Sequence, residues 1–69
     1  MVGGERLIKQ LRRKLGLSQT ELARRAGIRQ GVLSYIESGR TKHPRVDTLA
    51  AIAAALGVRI EDLLNKKAG

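Results

Sequence analysis

The chain has 69 residues, a formal net charge of +8, one histidine and no cysteine. This length predicts a single domain over residues 1–69, with frayed ends at 1–4 and 66–69, and the composition excludes a disulfide framework and a metal-ligand set. No apolar run approaches the roughly 18 residues of a membrane span, and no signal peptide is visible, so we expect a cytoplasmic protein.

The composition favours an all-α fold. Hydrophobic residues make up 42% of the chain and are almost entirely Leu, Ile, Val and Ala, with Tyr35 as the only aromatic residue. Because helix formers dominate and β-branched residues never alternate, the sequence predicts helices rather than strands.

The first predicted helix spans Glu5 to Leu15, and its apolar residues recur at helical spacing. This stripe consists of Leu7, Ile8, Leu11 and Leu15. A second helix begins at Ser18, which forms a capping box with Glu21, and ends at Gly27.

Three further helices follow after short breaks. We predict the third helix at Gln30 to Glu37 or Ser38, the fourth at Val46 to Leu56 and the fifth at Ile60 to Asn65. A glycine follows the third helix and the fourth. The loop from Gly39 to Arg45 is the longest break and is strongly basic.

The positive charge is unevenly distributed. Residues 1–17 hold five Lys or Arg against one acidic residue, residues 18–45 hold six against two, and residues 46–69 hold three of each. A basic front and a neutral back favour a surface that binds nucleic acid, with a membrane surface or an acidic protein as alternatives.

The second and third helices are arranged as a helix-turn-helix. They are joined by the three-residue turn Gly27-Ile28-Arg29, and Ala23 is small enough for two helices to cross closely. Leu33 and Ile36 lie on one side of the third helix, since helical residues advance by about 100°. The motif therefore predicts a wide crossing angle with one exposed face on the third helix.

The exposed face of that helix is suited to reading DNA bases. A glutamine such as Gln30 can bind adenine through both amide atoms, Ser34 can bind a base or a phosphate, and Tyr35 can pack on a thymine methyl group. Val32 lies at the edge of the face. The predicted base-reading residues are Gln30, Val32, Ser34 and Tyr35.

Phosphate contacts are expected around the same helix. Arg29 precedes it, and the following loop is basic, so these residues would add affinity that depends on salt and not on sequence. The predicted phosphate-binding residues of these two segments are Arg29, Arg40, Thr41, Lys42 and Arg45.

The chain resembles the lambdoid phage repressor, Cro and Xre-type family of helix-turn-helix proteins. The resemblance covers about Glu5 to Asn65 and rests on LSQTELARRAGI, LSYIESGRTKHP and TLAAIAAALGVRIEDLL, which occur in family order and spacing. It implies a compact five-helix, lambda-repressor-like domain whose third helix lies in the major groove of DNA. It also implies that Gln19 binds a phosphate and that Arg12 and Glu37 form a structural ion pair.

The chain departs from the family pattern at several positions. Gly31 stands where the family commonly has a side chain that reaches the groove, and it disfavours the helix by about 1 kcal/mol relative to alanine. Arg29, Arg45 and Arg59 stand at helix starts where a capping residue is common, and an arginine cannot accept from the free amides. A phosphate partner would explain the first two arginines but not Arg59.

The sequence thus predicts a sequence-specific regulator of transcription, a repressor that binds an inverted repeat in double-stranded DNA as a homodimer. The neutral final third supplies the candidate dimer surface, which consists of Val58, Arg59 and Ile60. No catalytic constellation is present, so we expect no enzyme, no cofactor and no small-molecule ligand. The alternative is a protein-interaction adaptor, antitoxin or co-regulator built on the same fold.

Overall fold

The computed structural model describes the backbone of residues 3–40 and 44–64 and the side chains of residues 7–40 and 44–63. The described residues form five α-helices and no strand, which confirms the all-α prediction. The helices are α1 (Gly3–Lys14), α2 (Gln19–Ala26), α3 (Gln30–Glu37), α4 (Val46–Leu56) and α5 (Ile60–Leu64). Asn65 and the tail at 66–69 lie outside the described residues.

A single apolar core holds the five helices together. Each helix contributes one large side chain that is at most 1% exposed, so all five helices take part in the core. These side chains are Ile8, Leu22, Leu33, Ile52 and Leu63. α2 packs chiefly against α4 and α3, whereas α1 packs against α5 and α3.

The first helix differs from its prediction at both ends. It begins at Gly3, so Gly3 and Gly4 are helical although fraying was expected there. Extending a helix that has already formed is easier than starting one, because each added residue gains one backbone hydrogen bond. Leu15 was expected on the buried stripe, and this is wrong, since its side chain is 55% exposed. Gly16 has φ +72° and reverses the chain, so that Leu17 enters the core instead.

The turn of the helix-turn-helix is formed by local hydrogen bonds. The Glu21 amide donates to Ser18 Oγ at 3.0 Å and caps the start of α2. Gly27 adopts φ +72° at the end of α2, and the Ile28 amide donates to the Ala23 carbonyl at 2.9 Å. Ala23 is 2% exposed and provides the close approach that the turn needs.

Candidate nucleic-acid interface

Helix α3 buries one face and exposes the other. Leu33 and Ile36 are buried, while the opposite arc leaves Gln30 and Tyr35 exposed and Ser34 half-buried. Val32 is 42% exposed at the edge of this arc. The structure thus places the four predicted base-reading side chains on one accessible surface, which we call the α3 face: Gln30, Val32, Ser34 and Tyr35.

A buried ion pair braces the end of α3 against α1. Arg12 Nε donates to Glu37 Oε2 at 2.8 Å, and Arg12 Nη2 donates to Glu37 Oε1 at 3.0 Å. The Arg12 and Glu37 side chains are only 11% and 3% exposed. Arg12 Nη1 also donates to the Leu17 carbonyl at 2.8 Å, so the guanidinium is held on three sides.

The ion pair extends to the α3 face through two glutamines. Gln19 Nε2 donates to Glu37 Oε1 at 2.9 Å, and Gln30 Nε2 donates to Gln19 Oε1 at 2.7 Å. A continuous hydrogen-bonded chain therefore runs from Arg12 through Glu37 and Gln19 to Gln30. Sequence reasoning named all four residues but missed the contacts of Gln19 with Glu37 and Gln30, which no local spacing reveals.

The hydrogen bonds between these four side chains leave the Gln30 amide partly available. Its Oε1 and one N–H of its Nε2 take part in no hydrogen bond with the described residues. An acceptor and a donor on one amide are what the adenine N6 amino group and N7 require in the major groove. The hydrogen bond to Gln19 restricts the Gln30 side chain, which lowers the rotamer entropy lost when Gln30 binds a base.

Two arginines flank the α3 face at the starts of helices. Arg29 precedes α3 and Arg45 precedes α4; both are exposed, and neither side chain caps its helix. An open groove of about 490 Å³ lies between these helices, and its walls are mainly apolar. It is lined by Arg29, Gly31, Val32, Tyr35, Ile36, Pro44, Arg45 and Thr48. The groove and its charged ends were not foreseen from sequence.

The remaining predicted phosphate contacts are placed only in part. Gln19 lies in the first turn of α2, where its side chain is half-buried, and Arg40 is exposed just after α3. The Arg40 guanidinium carbon lies 5.6 Å from the centre of the Tyr35 ring. Thr41 and Lys42 lie outside the described residues, as does His43.

The candidate dimer residues lie in the turn between α4 and α5 and at the first residue of α5. Val58 and Ile60 are half-buried and pack against the core. The Arg59 side chain is 80% exposed, and its Nε lies 3.7 Å from Glu61 Oε1. The Arg59 amide donates to Asp62 Oδ2 at 3.2 Å, which is one half of a capping box; the Arg59 side chain cannot supply the other half.

Other kinds of site have no support in the described part of the chain. No helix there is long and apolar enough to cross a membrane. No group of three or more His, Cys, Asp or Glu residues at positions 3–40 and 44–64 is placed to hold a metal ion.

Comparisons with known proteins agree on one family. A family model described as helix-turn-helix matches residues 8–63. The transcriptional regulator SinR of Bacillus licheniformis is 41% identical over 60 residues, which are 87% of this chain and 54% of that protein. The immunity repressor protein of Bacillus phage phi105 is 34% identical over 67 residues, which are 97% of this chain and 45% of that protein.

A solved structure shows the same fold on DNA. The crystal structure of SinR, named there as the master regulator for biofilm formation, contains DNA and superposes with a TM-score of 0.83 at 37% identity. The superposition covers 87% of this chain and 95% of that one. This chain spans about half the length of the curated relatives that it matches.

Proposed function

The chain belongs to the helix-turn-helix family of the Xre and lambda-repressor type, a family of regulators and not of enzymes, and from this premise we propose that it is a repressor that binds an inverted-repeat operator as a homodimer. In this proposal α3 lies in the major groove of double-stranded DNA. The relatives are transcriptional regulators, one of them a phage repressor, and SinR has been crystallised with DNA.

The orientation of Gln30 is the observation that best supports sequence-specific binding. A freely moving glutamine on a helix surface is ordinarily just solvated. Here Gln19 holds the Gln30 amide, and the buried ion pair between Arg12 and Glu37 holds Gln19. A part-buried charged network that ends on an exposed amide would preorganise a contact to adenine.

The surroundings of α3 support the rest of the proposal. Arg29, Arg45 and the loop residue Lys42 would each neutralise a phosphate, and Thr41 would donate a hydrogen bond to one. Gln19 would present the free amides at the start of α2 to a further phosphate. Val32 and Tyr35 line the apolar groove and would contact thymine methyl groups.

A dimer is proposed because one recognition helix reads only a few base pairs. Two copies on half-sites about 34 Å apart would combine their affinities and specificities. The turn containing Val58, Arg59 and Ile60 is the proposed contact between the copies. Its two half-buried aliphatic side chains would supply the apolar part of that contact.

The proposal is tested by selecting bound duplexes from a random DNA pool at near-physiological salt with competitor present. We expect an enriched inverted repeat whose half-site centres lie about one helical turn apart, bound about a thousandfold or more tighter than scrambled DNA. Binding that depends on salt but enriches no sequence would refute the proposal and favour the protein-interaction alternative.

Matched glutamine variants then test how the bases are read. Gln30→Ala is expected to lose about tenfold in affinity for the enriched duplex, with relaxed preference at one adenine, because it removes a bidentate contact. Gln10→Ala removes an equally exposed amide from α1 and is expected to bind as the parent does. Equal losses on every sequence from Gln30→Ala would contradict its assignment as a reader.

A further inference from the structure

The end of α3 places Arg40 in a defined position. Gly39 has φ +79° and reverses the chain, so that the Arg40 amide donates to the Tyr35 carbonyl at 3.1 Å. The Gly39 amide donates to the Ile36 carbonyl at 3.1 Å, and Ser38 Oγ donates to the Tyr35 carbonyl at 2.9 Å. This paired turn is the common glycine end of a helix. It fixes the Arg40 backbone beside Tyr35.

The Arg40 side chain lies over the Tyr35 ring. Its guanidinium carbon is 5.6 Å from the ring centre, within the range of a cation–π contact. Tyr35 is 55% exposed, and Arg40 forms no ion pair with any residue of the described chain. An arginine above an aromatic ring keeps its edge N–H groups free, because these lie in the plane of the guanidinium.

The location of the ring distinguishes Arg40 from the other arginines. Tyr35 belongs to the α3 face together with Gln30, which the proposed function places against base edges. Arg29 and Arg45 stand at helix starts beside this face, and neither lies over an aromatic ring within the described residues. A guanidinium held over the Tyr35 ring therefore adjoins the α3 face, and its two-pronged donor matches guanine O6 and N7.

From this geometry we infer that Arg40 reads a guanine in each half-site and that Tyr35 is the positioning residue that holds its guanidinium for that contact. The inference rests on the proposed function and revises the sequence-based assignment of Arg40 to a phosphate. The two assignments differ in a measurable way. A phosphate contact is blind to sequence and needs only charge, whereas guanine reading needs the planar fork and the N7 atom.

The test replaces each guanine of the enriched duplex, one position at a time, by 7-deazaguanine, which lacks the N7 acceptor. We expect one position per half-site at which this change weakens the parent protein about fivefold or more. Arg40→Ala should bind the parent and 7-deaza duplexes equally. Arg40→Lys should also lose the discrimination even though it keeps the charge.

Variants of the ring separate positioning from direct contact. Tyr35→Phe keeps the aromatic surface and is expected to bind the guanine duplex more tightly than the 7-deazaguanine duplex, as the parent does. Tyr35→Leu removes the aromatic surface and is expected to lose this preference, while its binding to nonspecific DNA changes little. Arg13→Ala removes a charge from an exposed site on α1 and controls for the loss of charge. Thermal melting by circular dichroism checks that each variant is folded.

The outcomes separate this inference from the proposed function. If the parent enriches no sequence, the proposed function fails and the inference fails with it. If the parent enriches an operator but tolerates 7-deazaguanine at every position, or if that operator contains no guanine, only the inference is overturned. Uniform loss of affinity in Arg40→Ala, rescued by Arg40→Lys, would assign Arg40 to a phosphate.

Discussion

Replacing Glu37 by alanine tests the buried ion pair most directly. The carboxylate accepts two hydrogen bonds from Arg12 and one from Gln19, and the Arg12 side chain is only 11% exposed. Glu37→Ala leaves that guanidinium with the Leu17 carbonyl as its single described partner. Removing one member of a buried pair costs about 3–5 kcal/mol, because an uncompensated charge stays buried.

This loss is large for so small a domain. At roughly 0.05–0.15 kcal/mol per residue, the 69 residues have a free energy of unfolding of about 3–10 kcal/mol. Urea unfolding followed by circular dichroism measures the change. With an m-value of about 1 kcal/mol/M, we expect the midpoint of Glu37→Ala to fall by about 3 M or the variant to be largely unfolded without urea.

Two comparisons make the result decisive. Glu61→Ala removes the partner of the exposed Arg59, and we expect a loss below about 0.5 kcal/mol, because solvent screens such a pair. The double variant Arg12→Met with Glu37→Leu should recover most of the stability but lose selectivity for the operator, because Gln19 then lacks its acceptor. If Glu37→Ala costs no more than Glu61→Ala, the reasoning is refuted.

Three further predictions concern the helix ends and the α3 face, and each is measured by urea unfolding. Ser18→Ala is expected to cost about 1 kcal/mol, because the Glu21 amide loses its cap, whereas the exposed Thr20→Ala should change little. Gly27→Ala is expected to cost about 1 kcal/mol, since φ is +72° and a left-handed backbone disfavours alanine although the added methyl group meets no atom within 4 Å. Gly31→Ala is expected to gain up to about 1 kcal/mol, because Gly31 is helical and its surroundings are equally open.

The two glycine variants control for each other. Both add one methyl group in open space, so a difference in sign between them isolates the backbone conformation as the cause. A gain at Gly27 or a loss at Gly31 would contradict the structure at that position. A loss from Thr20→Ala as large as that from Ser18→Ala would contradict the assigned cap.

Much of the fold was predictable because its signals are local. The Ser18 cap lies three residues from the amide that it accepts from, and the glycines that end α2 and α4 adopt positive φ. The buried faces of the helices follow the 3.6-residue period, and three of the five helices, α3, α4 and α5, begin at the residue predicted for them. Leu15 was mispredicted because periodicity alone does not show where the chain leaves the helix.

The candidate site was predictable as a set of residues but not as a connected structure. The motif indicated which side chains of α3 are exposed, and the family resemblance named Gln19, Arg12 and Glu37. Only the tertiary structure joined them, because Arg12 and Glu37 are 25 residues apart, Gln19 and Glu37 are 18 apart, and Gln19 and Gln30 are 11 apart.

The sequence by itself therefore determined the helices, most of their ends and the exposed face of α3, since these depend on neighbours within about four positions. The packing of α1, α2 and α3 decided how Gln30 is oriented, and the position of α3 relative to the start of α4 decided where the apolar groove opens. The contact between Arg40 and Tyr35 spans only five residues, but it depends on the reversed turn at Gly39 that follows α3. The orientation of a side chain depends on partners that only folding brings together, and helical periodicity contains no information about them.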